Sequence, residues 1–420
     1  MVPDSKQFLV IAALALTVSP AAAAPWVRGF VVDNYEPAFY YGGRGGTEAP
    51  GSDCPKGTIP ILDYKTVLKT SWRTPAEIEK ITLPVSAGGL GERVISPAMQ
   101  HRGFRQDIDT YVNPFTAPDP GMQQVTGKIA EGFDLDNNPN TGGFTSPSGE
   151  RGIDNAFYRA WGCIMSYRGT PYHAYLSQRA NDKMLDGLYT MVIRLTGNND
   201  PMNDDHVTFE VAYSPDHVVK DPAGHLVRDV SFRVVKSAQY TKLNARIRDG
   251  VLETEQADVR MPLFSWGETN RGEALFQKGR VRLVLNRNGT LSGLVGGYRD
   301  WREVYGLDTF NVPSGGATRE TYYHQNQIGM YYALKRNADG IPDPKTGENT
   351  AISAAFRFTA QPAFVVDPPV PLALNQPPYP GGEKAMTERK RFLQATATGT
   401  IEPEVKFRDQ DIVAQQDATN

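Results

Sequence analysis

The stretch "RVRLVLNRNGTLSGLVGGY", Arg280 to Tyr298, decides the fold class of this chain. Successive side chains of a strand point to opposite faces, so Val281, Leu283 and Leu285 share one side of an extended segment. Asn288-Gly289 then offers residues that tolerate positive φ, the signal of a tight hairpin, and an apolar return strand follows. The same period-two alternation recurs upstream. In "LYTMVIRLTG", Tyr189, Met191, Ile193 and Leu195 alternate with Thr190, Val192, Arg194 and Thr196. After a polar loop, "HVTFEVAYS" repeats the pattern with Val207, Phe209, Val211 and Tyr213, which predicts an antiparallel pair. "DVSFRVVK" adds Val230, Phe232 and Val234, and "AISAAFRFTA" aligns Ile352, Ala354, Phe356 and Phe358. Many short strands divided by Gly, Pro and Asn clusters predict a mainly β protein. The expected core is an antiparallel β-sandwich or jelly roll, with a few inserted helices and long acidic loops.

The helices announce themselves by their caps. "TPAEIEK" has Thr74 as N-cap, Pro75 at the first helical position and Glu77 at the third, a capping box. "DNAFYRAWG" predicts a short helix capped by Asp154 and ended by Gly162. "TRETYYHQNQIGMYYALKRNADG" spaces Tyr323, Gln327, Met330, Tyr331 and Leu334 on one helical face, with Lys335 and Arg336 near its end.

Four regions are expected. Residues 1–23 read as a secretory signal peptide: "FLVIAALALTV" is an apolar run too short to span a bilayer, and "SPAAAAP" offers a small-residue cleavage site after Ala23. Residues 24–130 form an N-terminal region with a short helix, 131–366 a β-rich core with acidic loops, and 367–420 a proline-rich connector and polar tail. No later segment has the length of a membrane span. With 44 basic against 47 acidic residues and a net charge of −3, no nucleic-acid footprint is present. The expectation is an exported protein, periplasmic or extracellular. In an oxidising compartment the two cysteines, Cys54 and Cys163, read as one disulfide, for they lack C-x-x-C spacing.

The acidic loops carry the chemistry. "FDLDNNPNTGGFTSPSGERGIDN" crowds carboxylates and amides among glycines and prolines. A calcium ion takes six to eight hard oxygens on a flexible loop. Asp134, Asp136 and Asn138 stand at alternate positions, and Asn140 follows with a backbone carbonyl. The EF-hand pattern fails at Pro139 and Thr145, so a more distant residue, Glu150 or Asp154, is expected to close the shell. The competing reading is a metal-free turn, because Asp and Asn side chains cap nearby amides. A second loop, "TGNNDPMNDDH", offers Asp200, Asp204 and Asp205 beside His206. A third, "NADGIPDPKTGEN", offers Asn337, Asp339, Asp343 and Glu348.

No nucleophile elbow, zinc-protease helix, phosphate loop or dinucleotide fingerprint occurs. The six histidines are scattered, and paired-acid hydrolysis could draw its two carboxylates from any acidic loop. The segments "GERGIDNAFYRAWGC", "NARIRDGVLETEQADVRMP", "GTLSGLVGGY" and "YYALKRNADGIPDPKTGENTAISAAFRFTAQPAFV" resemble a group of exported bacterial proteins with no assigned activity. The resemblance implies a bacterial, periplasmic setting and carries over no catalytic residue. The expected function is that of a calcium-stabilised exported β protein, a binding or accessory protein for an unidentified protein or small-molecule ligand. The alternative is a secreted, carbohydrate-active hydrolase using the loop carboxylates. Whether the chain is an enzyme stays open on the sequence.

Overall fold

The computed structural model describes residues 25–40, 54, 58, 65–66, 68–69, 74–89, 114–164, 167, 175–186, 189–236, 240–264, 271–309, 327–370 and 372. The signal peptide read at 1–23, Tyr323, and most of the connector and tail lie outside the described residues. The strands, in chain order, are β1 (Trp26–Pro37), β2 (Phe144–Thr145), β3 (Arg151–Ile153), β4 (Thr190–Gly197) and β5 (Asp204–Ser214). They continue with β6 (Ser231–Arg233), β7 (Thr241–Arg248), β8 (Val251–Thr254), β9 (Ala257–Phe264) and β10 (Arg271–Leu285). The last are β11 (Leu291–Asp300), β12 (Gly340–Pro342) and β13 (Asn349–Val366).

The main sheet is antiparallel, as the alternation predicts, but it is neither a sandwich nor a jelly roll. It closes on itself as an eight-stranded barrel in the order β1-β4-β5-β7-β8-β10-β11-β13. Among these staves every sequence neighbour is a spatial neighbour, an up-and-down meander, and β9 prolongs β8 along β10 past a bulge. The closing seam joins the first stave to the last, from Gly29 opposite Ala363 to Pro37 opposite Phe356. β13 is long enough to do this because it pairs β11 along one edge and β1 along the other. β1 belongs to the segment read as an N-terminal region, yet it is part of the barrel wall.

The alternating residues fill the interior. Met191, Ile193, Leu195, Phe209, Val211, Val281, Leu283, Leu285, Ile352, Ala354, Phe356 and Phe358 all belong to one buried cluster. Eight staves leave an interior about as wide as its own side chains. The turn within the 280–298 hairpin is a three-residue loop, with Asn286 N–H donating to Thr290 O at 2.9 Å. Only Gly289 takes positive φ (83°) there, and Asn288 instead uses its Oδ1 to accept the Thr290 N–H at 3.1 Å.

The strand predicted around Phe232 is not a stave. β6 runs parallel to the end of β13, and Phe232 and Val234 cover Val31, Val192, Ala212, Ala363 and Val365 on the outer wall. This strap explains why Val192, on the outer face of β4, is buried.

Two long excursions leave the same end of the barrel, after β1 and after β11, and their helices pack together there. α1 (Pro75–Thr82) has the predicted capping box of Thr74 and Glu77. α2 (Ala156–Trp161) is capped by Asn155, not by Asp154, and its indole Trp161 Nε1 donates to Met330 O at 3.3 Å. α3 (Tyr175–Leu185) lies against β1 and β4, while α4 (Trp301–Thr309) and α5 (Gln327–Asn337) meet through Trp301, Tyr305 and Tyr331. Met330, Tyr331 and Leu334 are buried, as the helical spacing predicts. Cys54 and Cys163 form a disulfide within the first excursion, tying its early part to the turn after α2. No described helix is long and apolar enough to cross a membrane.

Candidate metal centre

The loop between Phe133 and Asp154 sits on the outer wall of the barrel beside β11. Phe133 and Leu135 pack with Tyr298 and Ala351 as a small apolar foot, and an added Cβ on Gly296 would lie 2.7 Å from the Phe133 ring. The loop is pinned at both ends, because Asp154 N–H donates to Phe133 O at 2.8 Å. Leu135 N–H in turn donates to Asp154 Oδ2 at 2.8 Å. Asn138 N–H is shared between Asp134 Oδ1 at 2.8 Å and Asp136 Oδ1 at 2.9 Å, which folds the two aspartates inward. Asp136 Oδ2 also accepts from Thr141 Oγ1 at 2.7 Å. Asn137 takes the left-handed φ of 60° that this turn requires, a conformation asparagine tolerates. Gly142 (φ 74°) is needed for space as well as conformation, since a Cβ would stand 2.6 Å from Asp154 Oδ1.

The outcome is convergence. One oxygen each from Asp134, Asp136 and Asp154 lies within 4.8 Å of the others. Asp136 is exposed, Asp134 half-buried and Asp154 buried, so the group opens to solvent on one side. Desolvation raises the Asp154 carboxyl to about 7, against the Leu135 hydrogen bond and with help from the charges of Asp339, Asp136 and Asp134. Asp339 comes from the third loop. Its carboxylate accepts from Ser353 N at 2.7 Å and Ser353 Oγ at 2.6 Å. Desolvation outweighs those bonds and, with the charge of Asp136, lifts it to about 6. Tyr298 feels the same field: desolvation and then the charges of Asp154, Asp339, Asp136 and Asp134 push its phenol well above the ordinary tyrosine range.

The other predicted ligands have other partners. Glu150 turns away to Arg282 Nη1 at 3.2 Å, so of the two candidates for closing the shell only Asp154 reaches it. The Asn138 side chain accepts from Asn140 N at 3.2 Å, and the Asn140 side chain accepts from Arg151 Nη2 at 3.3 Å. The second loop is a hydrogen-bonded turn. Asp204 accepts from Trp26 Nε1, from the Asn198 and Asn199 N–H groups, from Asn199 Nδ2 and from His206 N. Asp205 pairs with Arg248, and Asp200 accepts from Met202 N at 2.9 Å. Asp343 is likewise a turn-former, accepting from Lys345 N and Thr346 N.

Asp204 gives a pH dependence. Desolvation alone would raise its pKa, but the His206, Asn199 and Asn198 N–H groups prevail and hold it at about 2. A carboxyl depressed on folding adds stability above its unfolded pKa and loses it as pH falls through the folded value. The native protein is therefore expected to lose about 2 kcal/mol more than Asp204→Asn between about pH 5 and pH 2. Urea midpoints at the two pH values measure this, and equal losses in both proteins would contradict it.

Sequence reading missed Tyr298 and the joining of the first and third loops. The signal for Tyr298 was its phase on β11, opposite to the inward Leu291 and Val295. Oxygen-only groups of this kind suit hard cations. Comparison of the chain with family models, with curated proteins and with solved structures finds no match.

Proposed function

We propose that this is an exported β-barrel protein stabilised by calcium, a binding or accessory protein rather than a catalyst. The observation that carries the reading is the inward convergence of the Asp134, Asp136 and Asp154 carboxylates. Like charges so close repel one another, and a divalent cation reverses that repulsion. Three carboxylates on a loop open to solvent on one side suit calcium, which takes six to eight hard oxygens in flexible geometry, better than smaller, stricter magnesium. The disulfide is compatible with an oxidising compartment, where calcium is abundant enough to fill modest sites. Paired-acid sugar hydrolysis is the weaker reading. It needs two acids facing each other across a substrate, whereas Asp154 is tied by Leu135 N–H to the backbone of the loop that carries Asp134 and Asp136.

Thermal unfolding tests the proposal. Calcium at about a hundredfold excess over its dissociation constant adds about 2.7 kcal/mol. For a chain of this size that is a Tm rise of several degrees, on the order of 2–4 °C per kcal/mol. EGTA is expected to remove the rise, and Asp134→Ala with Asp136→Ala to abolish the difference between the two conditions. Identical melts of the native protein in calcium and in EGTA would sink the reading. An equal rise with magnesium would replace calcium by a less selective site.

A further inference from the structure

Tyr298 stands on the outer phase of β11, beside both the loop that carries Asp134, Asp136 and Asp154 and the loop that carries Asp339. It is only 8% exposed, and its ring packs with Phe133, Leu135 and Ala351. Gly340 of the third loop lies against the same ring, where a Cβ would stand 2.3 Å from it. Desolvation first, and then the charges of Asp154, Asp339, Asp136 and Asp134, keep the phenol protonated. Its Oη makes no hydrogen bond among the described residues. A protonated donor in the field of four carboxylates, bonded to none, is held ready for what those carboxylates bind.

The two loops meet in other ways as well. Phe133 and Leu135 of the first share an apolar cluster with Ile341 of the third. Ile341 takes a left-handed φ of 51°, a strained conformation for a β-branched residue, and Thr350 Oγ1 donates to its carbonyl at 2.5 Å. Fully buried Ser353 donates its hydroxyl to Asp339 Oδ2 at 2.6 Å and accepts the Ala156 N–H at 2.8 Å. Ala156 begins α2 two residues after Asp154, so a hydrogen-bonded chain runs from one acidic loop to the other.

Resting on the calcium reading above, we infer that the ion closes a clasp between the first and third loops, with Tyr298 and Asp339 as its positioning residues. The Tyr298 hydroxyl donates to a ligating carboxylate, and the Asp339 carboxylate accepts from water bound to the ion. Partners of this kind fix the orientation of a metal's ligands and tune its affinity. Without the ion, Asp339 is repelled by the charges of Asp136 and Asp154. With it, the repulsion is reversed and the third loop is drawn onto the first. The exposed turn from Pro344 to Asn349 is therefore the surface whose order calcium sets, and the one a partner would read.

Hydrogen exchange of the full chain in calcium and in EGTA tests this, together with calorimetric titration of calcium. Calcium is expected to slow exchange at residues 134–142 and at residues 338–350 together. Tyr298→Phe keeps the ring and is expected to weaken calcium binding about tenfold, as is Asp339→Asn. In Asp339→Asn the third loop is expected to lose its calcium-dependent protection while the first keeps it. Tyr298→Phe in EGTA is expected to melt with the native protein, since the hydroxyl has no bond to lose. Calcium that protects the first loop and not the third overturns the clasp and leaves the ion reading standing. Calcium that protects neither loop removes both. Native calcium affinity in both variants also overturns the clasp. A sharp fall in the melting temperature of Tyr298→Phe in EGTA assigns the hydroxyl a structural role instead.

Discussion

Replacing Cys54 and Cys163 together by alanine is expected to lower the stability of the protein by about 4 kcal/mol, within the 2–5 kcal/mol typical of native bridges. The two residues are 109 positions apart, so the bridge closes a long loop and restricts the unfolded chain strongly. Both are almost fully buried, and Thr58 N–H donates to Cys163 O at 2.9 Å close by. Alanine therefore leaves no buried polar group behind. Urea denaturation monitored by tryptophan fluorescence reads the effect. The midpoint is expected to fall while the slope m rises, because an uncrosslinked unfolded chain exposes more surface. A midpoint unchanged within error would show that the bridge is dispensable.

Phe358→Ala is expected to cost about 3–5 kcal/mol. Phe358 is fully buried in the barrel, and directly across β11 stands Gly293. A Cβ on that glycine would lie 2.3 Å from the Phe358 ring and 2.8 Å from Leu283 Cδ2. The ring occupies the space that the glycine vacates, so truncation leaves a hole with no side chain opposite to fill it. The converse change, Gly293→Val, is expected to cost about 1–3 kcal/mol by overpacking. Combined with Phe358→Ala it is expected to cost less than the sum, with a coupling of about 0.5–3 kcal/mol. Additive losses in a double-mutant cycle would show that the ring and the glycine do not share one space.

Local signals were legible in the sequence and long-range ones were not. Alternation placed Met191, Ile193, Leu195 and Val281 correctly inward, and the capping box of Thr74 and Glu77 stands as read. The cysteine pairing was legible too, because two cysteines admit one bridge. Barrel closure was not, since β1 and β13 meet across almost the whole described chain and nothing in either strand names its partner. Sandwich and barrel share the same alternation. In the acidic loop, Asp134, Asp136 and Asp154 gather as the spacing suggested, whereas Glu150 is drawn off by Arg282 from a remote stave. Asp204 anchors the turn of the second loop through five donors, one of them Trp26 from β1 on the far side of β4, a contact that spacing within the loop does not show. Asp339 comes close enough to the acidic group to feel its charge only because β12 and β13 carry its loop there. Buried Arg299 was hidden in plain alternation: it shares the inward phase of its strand, but a charged residue near a strand end reads as solvent-facing.

The seam between β1 and β13 sets a condition on biosynthesis. A nascent chain emerging from the ribosome carries seven staves with nothing to cover the free edge of the first until residues 349–366 are made. An unpaired edge is a template for the wrong partner, so chains cut short before that point are prone to clump rather than fold. The barrel cannot close before its last strand is present.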